Sequence, residues 1–252
     1  MLPEVAAEEF SAALDRVAEE VLAEAGVKRP PVEAVSVAAA LGITVAWDDR
    51  QQRRGRYVRL RSHRGGPAQA TIVARPEPRP ERRQWGVAHE IGEHVAWRVF
   101  ARLGIDPREA PPDAREQVAN HLAGRLLLPA RWFAADATAC AWDLLHLKGR
   151  YRTASHELIV RRMLEMPPPV IVSIFDNGAL YLRRSNVPGR LPPVSRAELA
   201  CRRAVYQQNR PRRMSDGPLA IQGWPVHEPG WKREILRAEL DLESDEAPGD
   251  AL

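Results

Sequence analysis

Two imidazoles and two carboxylates fall within the short segment His89-Glu90-Ile91-Gly92-Glu93-His94, which is framed by the apolar residues Val87, Ala88, Val95, Ala96 and Trp97. Ionisable side chains are rarely buried on a helix unless they are paired or hold a cation. The cluster therefore reads as a metal site. The chemistry such a set could support is hydrolysis, with a metal-activated water and a carboxylate to take its proton.

The spacing decides which groups can share the cation. The common zinc pattern is His-Glu-x-x-His, with the two imidazoles one helical turn apart and the glutamate as general base. Here position 93 is glutamate and histidine follows at 94. An ideal helix turns about 100° per residue, so position 93 lies roughly 40° from His89 around the axis and position 94 roughly 140° away. On a regular helix Glu93 shares the face of His89. A π-bulge would bring His94 round instead, and such bulges favour functional sites. The segment then reads His-Glu-x-x-x-His, similar to the zinc motif of the dipeptidyl peptidase III family. Imidazole suits zinc better than a second carboxylate does. His89 and His94 are accordingly the expected ligands, Glu93 is the alternative, and Glu90 is the expected catalytic base.

A third ligand must come from another element, and the stretch 113–129 offers one. Asp113 can cap a helix whose apolar face is Val118, Leu122, Leu126 and Leu127. Glu116 and Asn120, four apart, share another face. A carboxylate here can complete the set, and Asn120 can hydrogen-bond a ligand from behind. Upstream, Val5, Phe10, Leu14, Val17, Val21 and Leu22 recur at helical spacing before Gly26. Residues 32–41 form a second short helix stopped by Gly42, and 43–47, 56–61 and 70–74 read as strands of a small sheet. Pro76, Pro78 and Pro80 bar a helix until Glu81, so the metal helix runs from there to near Gly104.

The order of a Leu41-Gly42-Ile43 helix end, a small sheet, Ala88-His89-Glu90-Ile91-Gly92, and then Glu116, Ala119-Asn120, Leu122-Ala123 and Leu126-Leu127-Leu128-Pro129 resembles the ImmA/IrrE family of metallo-endopeptidases. The likeness spans roughly residues 30–165. It implies an α+β, zincin-like fold of the glutamate-ligand type, Zn²⁺ as cofactor, Glu116 as third ligand, and an intracellular endopeptidase. It also implies a protein substrate of the helix-turn-helix repressor kind, in stress or mobile-element control. The chain departs from the family at position 93, where the family's histidine is glutamate. The alternative is therefore a catalytically impaired metal-binding regulatory module that binds a repressor or DNA. The resemblance leaves His121 at a variable position, as a surface or packing residue. Tyr57 and Tyr151 are candidates, by residue type only, to steady an oxyanion.

The rest of the chain carries no catalytic motif. Helices over 132–147 and 154–166, joined at 149–152 with Thr153 as cap, form a helix-turn-helix-like hairpin that could turn His156, Arg161 and Arg162 to DNA. Most helical hairpins are packing units, so DNA contact is the minority reading. Pro167, Pro168 and Pro169 form a stiff linker. Beyond it come strands at 170–175 and 179–183, joined by the hairpin signal Asp176-Asn177-Gly178. A helix at 195–208 and strands at 219–224 and 235–240 follow, with His227 in a loop. The expected organisation is a zincin-like metallopeptidase domain over 1–166, a small α+β C-terminal module over 167–240, and a disordered acidic tail over 241–252.

A chain of 252 residues is long enough for one substantial core and a smaller module. It has no membrane-length apolar stretch, and its N-terminus is acidic and amphipathic rather than signal-like. The cytoplasm is the expected location, without a membrane partner. Cys140 and Cys201 stand far apart in sequence and in no Cys-x-x-Cys arrangement, so neither a disulfide framework nor a cysteine zinc site is indicated. The net charge of +4 comes with scattered arginine pairs that read as surface cations rather than a nucleic-acid stripe.

Overall fold

The computed structural model describes residues 5–52, 55–61, 67–111 and 113–240. The chain forms two compact units, Met1–Trp142 with His146–Leu158, and Asp143–Leu145 with Ile159–Leu252. The expected acidic tail lies outside the described residues. Among them, no helix is long and apolar enough to cross a membrane.

In the first unit, α1 (Ala7–Glu24) buries Leu14, Val17, Val21 and Leu22, the stripe its spacing predicts. Gly26 follows at positive φ, where a Cβ would be strained. Helix α2 (Ala34–Ala40) has no side-chain cap of its own. Its free Ala34 N–H donates to Gln84 Oε1 at 2.6 Å, and Gln84 Nε2 donates to Glu33 at 2.6 Å. A buried glutamine on the metal helix thus satisfies the start of its neighbour. Strands β1 (Thr44–Trp47), β2 (Gly55–Leu60) and β3 (Gln69–Ala74) form a sheet in the order β1-β3-β2, with β1 parallel and β2 antiparallel to β3.

Helix α3 (Pro80–Arg102) runs through the middle of this unit. It buries Val87, Ala88, Ile91, Val95, Ala96, Val99 and Phe100, because it packs against α1, α2, β2, β3 and α4 (Ala114–Leu127). The tightest constraint is between α3 and α4. A Cβ at Gly92 would stand 2.7 Å from the Ala119 carbonyl oxygen and 3.0 Å from its Cα. The two backbones therefore meet where Gly92 has no room for a side chain. Arg125, 4% exposed, anchors α4 to α1 through Asp15 at 3.3 Å and Ser11 at 2.9 Å.

Several local expectations are corrected. Asp113 does not cap α4 through its side chain; its carboxylate accepts from the Gln117 side chain instead. The single helix expected over 132–147 is two, α5 (Ala130–Ala139) and α6 (Leu144–Arg150), broken where Ala141 and Trp142 take positive φ. The following α7 (His156–Met163) starts later than expected, with Ser155 Oγ rather than Thr153 accepting a helix N–H, that of Leu158, at 3.1 Å. Thr153 is buried.

The second unit carries a five-stranded antiparallel sheet in the order β5-β4-β8-β7-β6. Its strands are β4 (Val170–Asp176), β5 (Ala179–Ser185), β6 (Arg212–Asp216), β7 (Leu219–Glu228) and β8 (Trp231–Leu240). Asn177 and Gly178 both take positive φ, as the tight β4–β5 turn requires. Helix α8 (Arg196–Gln208) opens on a capping box between Ser195 and Glu198. It lies close enough to β7 that a Cβ at Gly223 would meet Val205 at 2.8 Å. Strand β6 escaped the sequence reading because all its residues are exposed and it lacks a buried face. His227 is not in a loop but in β7, where Nε2 meets the fully buried Glu234 at 2.9 Å. The arginine pairs are not all surface either: Arg183 grips Glu198 at 2.7 Å with both side chains buried, and Arg162 pairs with Glu165. A planar guanidinium can bury its stem while its fork is satisfied.

Two outcomes follow for measurement. Gly92→Ala should destabilise the chain by about 1–3 kcal/mol in urea unfolding, as overpacking against backbone does. Cys201 is fully buried, and burial pushes its thiol up to about 11. A thiol reagent at mildly alkaline pH should therefore titrate Cys140 alone in the folded protein, and both thiols in denaturant.

Candidate metal centre

The site is assembled by the α3–α4 contact. His89 precedes Gly92 by about one turn, and Glu116 precedes Ala119 by the same interval, so the helix approach at 92/119 carries these side chains together. His89 Nε2 lies 3.5 Å from Glu116 Oε2. Asn120, one turn further along α4, donates from Nδ2 to Glu116 Oε1 at 3.1 Å. This is the placement from which an outer hydrogen bond orients a carboxylate.

The residue that joins them is Glu93. Donor atoms of His89, Glu93 and Glu116 all lie within 4.8 Å of one another. Helix α3 is regular from Pro80 to Arg102, without a π-bulge, so helical rotation alone selects position 93. The structure does not bring His94, expected as a ligand, into this group. Its ring stacks, tilted, on Tyr57 with centroids 4.9 Å apart. Burial, with Arg59, Arg98 and Arg115 nearby, holds that imidazole below its ordinary pKa. A one-residue offset has moved the second histidine into packing.

The Glu93 carboxylate has a partner that the sequence reading missed. Arg115 Nε lies 2.6 Å from Glu93 Oε2, and its Nη2 donates to the Glu93 main-chain carbonyl at 3.1 Å. Nothing in the spacing marks this pair, because its members sit on different helices.

Glu90 occupies the other flank. It is 7% exposed and lies under β2, where a Cβ on Gly55 would stand 2.7 Å from its Oε1. Burial pushes its carboxyl above the ordinary range; the His89 ring and a hydrogen bond from the Tyr57 backbone N–H pull it partly back, and Glu93 and Glu116 raise it again. A carboxyl held above its ordinary range in this way gives up its proton less readily than an exposed one. The groups line an open cleft of about 600 Å³ with Gly55, Arg56, Tyr57, Trp85 and Arg115. Strand β2 forms one edge of its sheet and borders this cleft.

The remaining candidates stand elsewhere. His121 packs edge-on against Phe10 at 5.7 Å, in keeping with a packing role. Tyr151 is fully buried, donates to Asp136 at 2.7 Å, and does not line the cleft. Of the two tyrosines only Tyr57 does so, with its hydroxyl accepting from Arg59 at 3.4 Å.

One imidazole and two carboxylates converging on one point, backed by a buried glutamic acid, fit a divalent cation. A zincin-like helix pair beneath a small mixed sheet is the architecture of a metallopeptidase-type domain. The IrrE N-terminal-like domain of the M78 peptidases matches residues 38–163, and the chain belongs to that family. A solved structure named as a Mycobacterium tuberculosis transcriptional regulator is similar in fold, with a TM-score of 0.64 and 19% identity, over 93% of this chain and 81% of that one. None of the curated proteins matches the chain.

The raised Glu90 pKa has a stability consequence. A carboxyl with a folded pKa above its unfolded value favours folding when protonated, and that contribution is lost as pH rises through the folded pKa. Glu90→Gln should therefore raise the melting temperature of metal-free protein near neutral pH. The gain should shrink at about pH 4, where the wild-type carboxyl is itself largely protonated.

Proposed function

We propose that this chain is a metal-dependent endopeptidase acting in the cytoplasm on a protein substrate, with a helix-turn-helix repressor as the substrate class the family resemblance suggests. The observation that carries the reading is the convergence of His89, Glu93 and Glu116 beside the buried Glu90. His89 and Glu116 would hold Zn²⁺, with Glu93 in the place expected of His94. The bound ion would supply a Lewis acid that acidifies water and polarises the scissile carbonyl.

The chain's own residues account for the rest. Glu90 takes the proton of the attacking water and returns it to the departing amine, a role suited by its burial and raised pKa. Asn120 keeps Glu116 in one orientation. The free edge of β2, unpaired among the described residues, is shaped to receive an extended peptide as an added strand. Tyr57 is the cleft tyrosine available to donate to a developing oxyanion.

A second reading is a regulatory module that binds metal and a repressor or DNA without hydrolysis. It is favoured by the glutamate at 93 and by the similarity to a structure named as a transcriptional regulator. Zinc content and cleavage of a co-expressed helix-turn-helix repressor separate the two. His89→Ala should lose both, whereas Glu90→Gln should keep zinc and lose cleavage by at least about a hundredfold. Stoichiometric zinc in wild-type protein with every tested repressor left intact would favour the regulatory module.

A further inference from the structure

We infer that Glu93, positioned by Arg115, sets the cation preference of this centre and narrows the margin by which zinc outcompetes an oxygen-preferring cation such as Mn²⁺. The inference rests on the metal-centre reading above and adds to it a selectivity that the residues themselves argue.

The donor set contains one imidazole and two carboxylates, from His89, Glu93 and Glu116. Imidazole favours zinc, whereas carboxylate and water favour harder cations such as Mn²⁺ and Mg²⁺. Zinc remains the tighter binder on such a set, but each imidazole exchanged for a carboxylate removes part of its advantage. His94 does not restore the second imidazole, since its ring is engaged with Tyr57 on another side of a regular helix.

Arg115 makes Glu93 a defined ligand rather than a freely rotating side chain. Its guanidinium grips both the Glu93 carboxylate and the Glu93 main-chain carbonyl, so the side chain is fixed relative to its own backbone. The contact engages Oε2, and a carboxylate so held keeps further lone pairs with which to meet a cation. Two effects of Arg115 oppose each other. Its positive charge disfavours a cation, but the Arg115 side chain is 59% exposed and that repulsion is screened by solvent. The ordering of Glu93 is not screened, because a free glutamate loses rotamer entropy when a cation fixes it and a held one does not. Arg115 is therefore a positioning residue whose net effect is to tighten the site.

Competition titrations with a fluorescent chelator, using Zn²⁺ and Mn²⁺ separately, test this on the full chain. Glu93→His should raise the ratio of zinc to manganese affinity by about tenfold or more. Arg115→Met should weaken both cations by about tenfold in the wild-type background and by less than about twofold in the Glu93→His background. Glu93→Gln, which keeps shape and removes charge, covers the case in which the imidazole does not fit, and should lose more manganese than zinc affinity. An unchanged ratio in the Glu93 variants, or tighter binding on Arg115→Met, would overturn the inference. His89→Ala is the separate control: if it retains both cations, the metal-centre reading itself fails, whereas its loss of both with an unmoved ratio sinks only the selectivity.

Discussion

The first unit turns on one backbone contact, the approach of α3 to α4 at Gly92 and Ala119. Helices usually meet through side chains, which set their axes 8–10 Å apart as a general rule. A glycine facing an alanine backbone removes that spacer. Because interiors are close-packed and resist small displacements, such a contact fixes the helix separation more rigidly than layered side chains could. His89 and Glu116 sit about one turn before the two contacting residues, so the separation that lets the helices touch also sets the distance between donors. His89, Glu90 and Gly92 on α3 thus form one mechanical unit with Glu116 and Ala119 on α4.

Around that unit the charge balance is unfavourable in a way that suits a metal centre. Glu90, Glu93 and Glu116 surround one imidazole, with Arg115 in direct contact with Glu93. Burying a carboxyl beside others raises its pKa and costs stability whenever it ionises. A protein selected for stability alone would not keep Glu90 under β2. Sites that hold unfavourable groups in reserve are a recurring cost of function. A divalent cation would reverse the sign of that cost.

The second unit solves a different problem. Its sheet and helix bury charged groups, but in closed pairs: Glu198 with Arg183, and Glu234 with both His227 and Arg202. Each buried carboxylate meets a cation on a neighbouring element, which satisfies the groups and fixes α8 and β5 in register. The carboxylates here are paired with cations, whereas those of the first unit converge beside an imidazole.

Much of this was legible in the sequence because it depends on local geometry. Gly26, Gly42 and Gly104 end helices where left-handed backbone is needed, Asp176-Asn177-Gly178 makes the hairpin turn, and the apolar spacing of α1 and α4 forms their buried faces. The sharing of one face by Glu116 and Asn120 was visible for the same reason, whereas their conjunction with His89-Glu90 on another helix came from the family resemblance. What the sequence left open was which of Glu93 and His94 turns toward His89, because that depends on whether α3 stays regular within its packing. The tertiary structure alone decided it. It also revealed Arg115 beside Glu93, the break at Ala141 and Trp142, and the pairing of His227 and Arg183, because each arises from the meeting of segments distant in sequence or from a backbone bend. Spacing along the chain carries the geometry of one helix, whereas the company a side chain keeps across helices is set by packing.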